Sequence, residues 1–294
     1  MTENIFQKGC LVQLSVSKWG GVKKVDKSTL SNMVTTDQDW LTATKKLVDP
    51  QSLKPICTVG YSARAWLYYK SLPFPIPGLS FIPRDLINTV DDKLVQFKSE
   101  FHQAVENFLD DYHDLRESAR HFLGDLFMEI DYPVDISSRF KFAWRFVVLD
   151  IPNGKGKGKI LAPEVYAREK EKFVETMEVA RMMGINALRE EFASIVGHIS
   201  ERFTNSGTGK PKMFKNSTVV SFYDYFQTFK DRNIFEDSDL TDLVEKAQGV
   251  LNGTSADMIR SDVELKEKIR ADMTEIESSM AELLKRPRRK IVMD

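Results

Sequence analysis

Residues 84–122 read RDLINTVDDKLVQFKSEFHQAVENFLDDYHDLRESARHF, without a proline. The apolar residues of this stretch recur three and four positions apart: Ile87, Val90, Leu94, Phe97, Phe101, Ala104 and Phe108. Such spacing lines one face of an α-helix and is typical of the seam along which a helix packs on another helix. At a rise of 1.5 Å per residue, this helix would be about 57 Å long.

A second long helix is predicted from Pro163 to Phe203, because proline is favoured in a first helical turn and apolar residues follow at helical spacing. Two helices of similar length can bury their apolar stripes in an antiparallel hairpin. We therefore predict a mainly α protein: a long, coiled-coil-like helical hairpin with a small β element and C-terminal helices. The predicted helical interface consists of Leu94, Phe97, Phe101, Phe108, Phe173, Met177, Leu188 and Phe192.

Three regions follow from this hairpin. Residues 1–83 form a basic N-terminal region with one strand at 10–18 and short helices, one of them capped by Thr42, and end in a proline-rich connector. Residues 84–205 hold the hairpin and an inserted strand, 138–151, which is the natural partner of the first strand. Residues 206–294 are predicted to be helical, with one helix over 255–284 and a basic tail.

The composition excludes several classes of protein. The chain has 294 residues, 42% of them hydrophobic, with 42 Lys+Arg against 43 Asp+Glu, so it is neither disordered nor a collagen or disulfide scaffold. No apolar run approaches the ~20 residues that span a bilayer, and the N-terminus lacks the pattern of a signal peptide. We expect a cytoplasmic protein without a membrane partner.

Reactive chemistry is not indicated by any motif. The 4 histidines are scattered, and no protease or hydrolase context surrounds the cysteines or serines. The segment Ser206–Pro211 resembles a phosphate-binding loop, but Thr204 replaces its first glycine and Pro211 its magnesium-binding residue. We predict no catalytic, cofactor-binding or metal-binding residue. An enzyme would need a pocket of convergent polar groups that spacing does not reveal.

The strand signal at residues 139–145 allows two interpretations. Phe140, Phe142 and Trp144 alternate with Arg139, Lys141 and Arg145. Aromatic residues flanked by cations can stack and neutralise single-stranded nucleic acid. The same alternation also predicts aromatic residues facing a core and cations facing water.

Basic residues also cluster elsewhere in the chain, and each cluster allows two interpretations. It can contact nucleic acid or an acidic partner, or it can belong to a loop tip or a tail that is exposed to water. Together with the strand they give the candidate contact residues Lys23, Lys24, Arg139, Lys141, Arg145, Lys155, Lys157, Lys159, Lys285, Arg286, Arg288, Arg289 and Lys290.

Several segments together resemble a known family. They are Val12–Lys24, Leu47–Pro55, the aromatic and proline-rich connector ending at Pro83, and Ser138–Phe142. In order and spacing, residues 5–205 resemble the uncharacterised bacterial, phage and plasmid family described as domain of unknown function 3150. The resemblance implies a genetic context of AAA+ ATPases of the MoxR or cobalt-chelatase-like kind and of von Willebrand A-type proteins. It transfers no catalytic residue.

These observations favour a non-enzymatic scaffold or adaptor of a phage, plasmid or bacterial system. Its extended helices would mediate self-assembly into a homo-oligomer or bind a protein partner, for which the resemblance suggests an AAA+ ATPase or a von Willebrand A-type protein. The alternative is a nucleic-acid-binding accessory factor in recombination or defence that uses the basic residues.

Overall fold

The computed structural model describes residues 5–33, 40–150, 162–203, 216–254 and 256–285. Helices make up most of this part, so the protein is mainly α, as predicted. The helices are α1 (Lys27–Met33), α2 (Lys54–Lys70), α3 (Ile87–Leu123), α4 (Pro163–Phe203), α5 (Asn216–Arg232), α6 (Ser238–Leu251), α7 (Ala256–Ser261) and α8 (Val263–Lys285). The strands are β1 (Gly9–Ser17), β2 (Val22–Lys24), β3 (Thr44–Lys46), β4 (Leu72–Pro73), β5 (Ser80–Pro83) and β6 (Lys141–Val147).

The strands form two small sheets. One has the order β4-β5-β1-β6, and the other pairs β2 with β3 in antiparallel register, with Lys23 opposite Lys45. The neighbouring positions of β1 and β6 confirm the predicted pairing of the first strand with the strand inserted between the long helices. The proline-rich connector contains no helix, as predicted, but it is not extended throughout. It folds back on itself as a hairpin in which β4 pairs antiparallel with β5, with Leu72 opposite Phe81.

The chain is organised as two compact units that interleave along the sequence. The first, here called the α/β unit, comprises Val12–Tyr69 and Asn88–Val147. The second, the helical unit, comprises Met1–Leu11, Lys70–Ile87 and Val148–Asp294. The boundaries that the sequence suggested, at residues 83 and 205, stay predictions about independently folding regions.

Aromatic side chains dominate the core of the α/β unit. Phe140 and Phe142 are buried, and their ring centroids lie 5.6 Å from Phe108 and 5.5 Å from Phe101 on α3. Beside them, Trp66 of α2 lies 6.3 Å from Phe97. The apolar stripe of α3 is thus covered by β6 and α2, so the strand of alternating aromatic residues and cations faces the core with its rings.

The helical unit buries the stripe of α4 against other helices. Phe192 of α4 lies 5.5 Å from the ring of Tyr225 and 6.2 Å from that of Phe222, both on α5. The Tyr225 hydroxyl donates a 3.1 Å hydrogen bond to the carbonyl of Leu188. Helix α8 also packs on α4, and its buried residues are Ile269, Met273, Ile276, Met280 and Leu283.

The predicted coiled-coil hairpin of α3 and α4 is not confirmed, although both helices exist with nearly the predicted bounds. Each helix buries its stripe within its own unit. Of the predicted interface residues, Phe173 is half-buried, and the others lie in the cores: Leu94, Phe97, Phe101, Phe108, Met177, Leu188 and Phe192. An outside partner could reach these buried residues only if a unit opened, so its binding surface has to be sought elsewhere.

Two shorter predictions were wrong. The segment predicted as one helix over 255–284 is divided into α7 and α8, because the Asp262 carboxylate accepts a 3.0 Å hydrogen bond from the Leu265 amide and caps a new helix. Thr42 does not begin a helix either. It precedes strand β3, whose pairing with β2 supplies the backbone hydrogen bonds of residues 44–46.

Candidate functional site

The α/β unit contains a groove of about 480 Å³. One wall is β3 with the turn that follows it, and the other is the last turns of α3. The lining is mainly apolar, with a few polar groups, and consists of Thr44, Lys46, Val48, Asp49, Pro50, Leu115, Ser118, Ala119, Phe122 and Leu123.

The first wall follows from the local sequence Leu47–Ser52. Leu47 and Val48 are buried, and the Leu47 amide donates a 2.8 Å hydrogen bond to the carbonyl of Gly21. Asp49 then reverses the chain: its carboxylate accepts from the Gln51 amide at 2.9 Å, and its carbonyl accepts from the Ser52 hydroxyl at 2.6 Å. Such a side-chain-supported turn holds its residues in place while leaving them exposed at the groove.

Gly21 is required by this arrangement. Its φ angle is +63°, and a Cβ atom there would lie 2.8 Å from Cδ1 of Leu53. The left-handed backbone strains any other residue here, and Leu53 would also have to shift to admit a side chain. Gly21 thus helps to fix the first wall of the groove.

The second wall rests on a small apolar cluster. Ala119 of α3 is buried together with Leu47 and Tyr132, and Trp19 and Tyr112 pack against this cluster. The Trp19 and Tyr112 ring centroids are 6.0 Å apart in an edge-on arrangement. Because Ala119 is small, the end of α3 approaches Leu47 closely without filling the groove.

Buried polar contacts fix the segment after α3 against the first wall. The Lys45 ammonium is buried, lies 2.6 Å from Oδ2 of Asp131, and donates a 2.6 Å hydrogen bond to the carbonyl of Leu126. The Tyr132 hydroxyl donates to the carbonyl of Leu47 at 2.9 Å. Breaking a buried pair by removing one partner costs about 3–5 kcal/mol, so these contacts hold the site in one geometry.

Two further ion pairs lie on the outside of this segment. Glu129 pairs with both Arg116 and Arg120 of α3. Arg116 also lies over the ring of Tyr132, 5.3 Å from its centroid. The last turns of α3 are therefore connected to the following segment by charge as well as by apolar contact.

Two phenols of the apolar cluster beside the groove have raised pKa values. Burial raises the pKa of the Tyr112 phenol, against the opposing effect of Arg116. Burial likewise raises the pKa of the Tyr132 phenol, with a smaller contribution from Tyr112. Both phenols stay protonated at neutral pH, and Tyr132 acts as a hydrogen-bond donor to the backbone.

Large apolar side chains are exposed at and after the end of α3. Phe122, which lines the groove, is 84% exposed, and Ile130 is 87% exposed. Val134 is also fully exposed. Single exposed apolar residues are common on protein surfaces, but an apolar groove with an exposed aromatic at its edge is typical of a binding surface.

None of the described residues that were predicted from sequence as contacts lines the groove. Lys23 is half-exposed, and its ammonium lies 3.8 Å from Oδ1 of Asp131. Lys24 and Lys285 are exposed, as are Arg139, Lys141 and Arg145 beside or on β6. The remaining predicted contacts lie outside the described residues: Lys155, Lys157, Lys159, Arg286, Arg288, Arg289 and Lys290.

Sequence reasoning missed the groove, although one signal for it was present. Two of the segments that carry the family resemblance, Val12–Lys24 and Leu47–Pro55, meet at its first wall through the Leu47–Gly21 hydrogen bond. Nothing in the sequence indicated Asp131 or Tyr132, because their partners Lys45 and Leu47 lie more than eighty residues away along the chain.

A model of the family described as "Protein of unknown function (DUF3150)" matches residues 6–193. The chain belongs to this family. The match to DUF3150 covers the whole α/β unit, including the groove, and extends into α4. Comparison with curated proteins gave no match, and neither did comparison with solved structures.

The described part of this DUF3150 chain has neither a candidate membrane span nor a candidate metal site. None of its helices is both long and apolar enough to traverse a bilayer. Among the described residues, no group of three or more histidine, cysteine, aspartate or glutamate side chains is arranged to hold a metal ion. The groove of the α/β unit is a candidate site within the described residues.

Proposed function

We propose that this protein is a non-enzymatic adaptor that binds a segment of a partner protein in the groove of the α/β unit. The observation that carries the proposal is the groove itself: an apolar cleft edged by the exposed Phe122, with its walls fixed by the Lys45–Asp131 pair and the Tyr132–Leu47 hydrogen bond. A preformed cleft of this kind binds with little ordering cost.

The lining defines the chemistry of the partner. Val48, Pro50 and Leu115 offer apolar contact, so the partner segment would insert at least one large apolar side chain. Lys46 and Asp49 place one charge of each sign at the groove, and these can bind the polar backbone of the same segment. The mixture fits a peptide segment better than a small charged metabolite.

The resemblance to DUF3150 supports the choice of partner. We propose a cytoplasmic AAA+ ATPase, or a von Willebrand A-type protein, of the same phage, plasmid or bacterial system. Self-assembly into a homo-oligomer and the hairpin of α3 and α4 remain parts of the proposal. A second copy would then use exposed residues such as Phe122 and Ile130 instead of the buried stripes.

The experiment has two stages. A photo-crosslinking residue at Ser118, which is exposed and lines the groove, is used in the native host to identify the protein that contacts this position. The same residue at Ser99, which is exposed on α3 but does not line the groove, is the matched control. The crosslinked protein is then purified, and its affinity is measured by calorimetry.

In the second stage we expect Ser118→Trp to fill the groove and weaken binding about tenfold or more, since losing one anchored side chain is worth at least ~1.4 kcal/mol. Ser99→Trp should change the affinity less than twofold. Equal affinities for the two tryptophan variants would refute the groove as the binding site. If position 118 crosslinks only to a second copy of the chain, the groove mediates self-assembly, and the proposal of a different partner protein is refuted.

A further inference from the structure

The α/β unit has a second surface, on strands β6 and β1, which the proposed adaptor function does not use. The two faces of β6 differ in chemistry: Phe140, immediately before the strand, and Phe142 are buried against α3, whereas Lys141 and Arg145 are exposed on the opposite face. Arg139, two positions before Lys141, is exposed as well. Because side chains alternate along a strand, Lys141 and Arg145 share one face of the sheet. Arg139 ends the single 3-10 turn Ser137–Arg139 that precedes the strand, so it adds an exposed cation beside the start of β6.

Strand β1 continues this open face. Val16 points toward α2, since a Cβ atom at Gly60 of α2 would lie 3.3 Å from Cγ1 of Val16. The alternate residues Ser15 and Ser17 are exposed. The face of β1 and β6 that is turned away from α2 and α3 therefore carries the hydroxyl groups of Ser15 and Ser17 on β1 and the cations Lys141 and Arg145 on β6.

The charges on this face are available to a ligand. Within the part of the chain that the structure describes, Arg139, Lys141 and Arg145 form no ion pair. Lys45 and Arg116 near the groove, by contrast, are each paired with a carboxylate. Unpaired, exposed cations on a strand and in the turn before it attract a polyanion without first giving up a partner.

The spacing of the row fits a nucleic acid. Alternate residues of a strand are about 6.6–6.8 Å apart, which is close to two nucleotide steps of ~3.4 Å in a stacked strand. Lys141 and Arg145 are therefore about four nucleotide steps apart. Serine hydroxyls are further donors to phosphate oxygens.

The aromatic residues of the strand cannot serve as stacking platforms for bases. Phe140 and Phe142 are buried, and the Trp144 indole donates a 2.7 Å hydrogen bond to the Asp91 carboxylate of α3. The interpretation of aromatic residues facing the core is thus the correct one. We infer that the open face of β1 and β6 binds the phosphate backbone of a nucleic acid, without reading its bases, through Arg139, Lys141 and Arg145.

The test measures fluorescence anisotropy of a labelled 30-nucleotide DNA strand of mixed sequence, and of its duplex, between 50 and 200 mM NaCl. The variant Arg139→Gln/Lys141→Gln/Arg145→Gln removes the row. Lys54→Gln/Lys170→Gln/Lys268→Gln removes the same charge from exposed positions on α2, α4 and α8 and is the control. Circular dichroism checks that both variants fold.

We expect the row variant to reduce the slope of log affinity against log salt by about 2 on the single strand and about 2.7 on the duplex, in keeping with three lost phosphate contacts. The control should keep the slope of the unchanged protein. The inference is overturned if both variants reduce the slope equally, or if the protein shows no salt-dependent binding of DNA. It is also overturned if the row variant weakens binding of polyglutamate as much as binding of DNA. Ser118→Trp should leave DNA binding unchanged, so the test of this surface is independent of the test of the groove.

Discussion

Helices α3 and α4 are similar in length and both carry an apolar stripe, yet different elements cover the two stripes. The stripe of α3 meets aromatic rings from β6 and α2, such as Phe142 and Trp66. That of α4 meets α5 and α8 and includes a glycine at a close contact. A helical repeat of apolar residues therefore shows that a face is buried, but it does not identify the element that buries it.

This difference has a functional consequence. Because β6 covers α3 with its aromatic face, its cations are left on the open side of the sheet. Because the last turns of α3 extend to Ala119 and Phe122, beside the turn after β3, a groove remains there. Both candidate surfaces thus belong to the α/β unit. The following predictions test the comparison between the two helices, from the largest expected effect to the smallest.

The largest effects concern the buried rings. Phe101→Ala on α3 and Phe192→Ala on α4 should each lower the free energy of unfolding by about 3–5 kcal/mol, because both rings are at most 1% exposed. Urea unfolding followed by circular dichroism measures the loss. A loss below about 1 kcal/mol at either site would mean that the ring is not in a closed core.

Milder substitutions in a double-mutant cycle then identify the neighbour of each helix. Phe101→Leu with Phe142→Leu should show a coupling of about 0.5–1.5 kcal/mol, as expected for an aromatic pair. Phe101→Leu with Phe192→Leu should be additive within ~0.5 kcal/mol. A coupling of about 0.5–1.5 kcal/mol between Phe101 and Phe192 would instead favour the hairpin of α3 and α4 that the sequence predicted.

A glycine distinguishes α4 from α3. A Cβ atom at Gly184 would lie 2.7 Å from Cε2 of Phe235, in the connection between α5 and α6. Gly184→Ala should therefore cost about 1–3 kcal/mol in thermal or urea unfolding. Gly249→Ala on α6 is the control: its Cβ would meet no described atom within 4 Å, and it should stabilise the protein by about 0.5–1 kcal/mol. A change in the free energy of unfolding with the same sign at both positions would contradict the close contact between Gly184 and Phe235.

The smallest expected effect is a difference between Tyr132 and Tyr112, which lies on α3. Tyr132→Phe should cost about 0.5–1.5 kcal/mol, because it leaves the Leu47 carbonyl without its donor. Tyr112→Phe should be nearly neutral, because among the described residues the Tyr112 hydroxyl has no hydrogen-bond partner. Chemical denaturation at neutral pH, where both phenols are protonated, gives both values. Equal costs would show that the segment after α3 is not fixed through Tyr132.

Several elements could be predicted because their causes are local. Pro163 and the spacing of apolar residues predicted α4, and the alternation in 139–145 predicted the strand β6, with rings that face the core as one of two interpretations. The division of the C-terminal segment at Asp262 was missed, since an aspartate within a helical pattern is as easily a solvated residue as a cap. The groove was missed because its walls come from segments about seventy residues apart.

By itself, the sequence determined which segments are helical, which faces are apolar and which strand carries cations, because these properties depend on propensity and on the period of side chains along one element. Only the tertiary structure decided that β6 and α2 cover α3, that Lys45 pairs with Asp131, and that a groove stays open beside Phe122. The physical reason is that burial of an apolar face is not directional: any complementary surface satisfies it, and the choice depends on how the remaining segments pack.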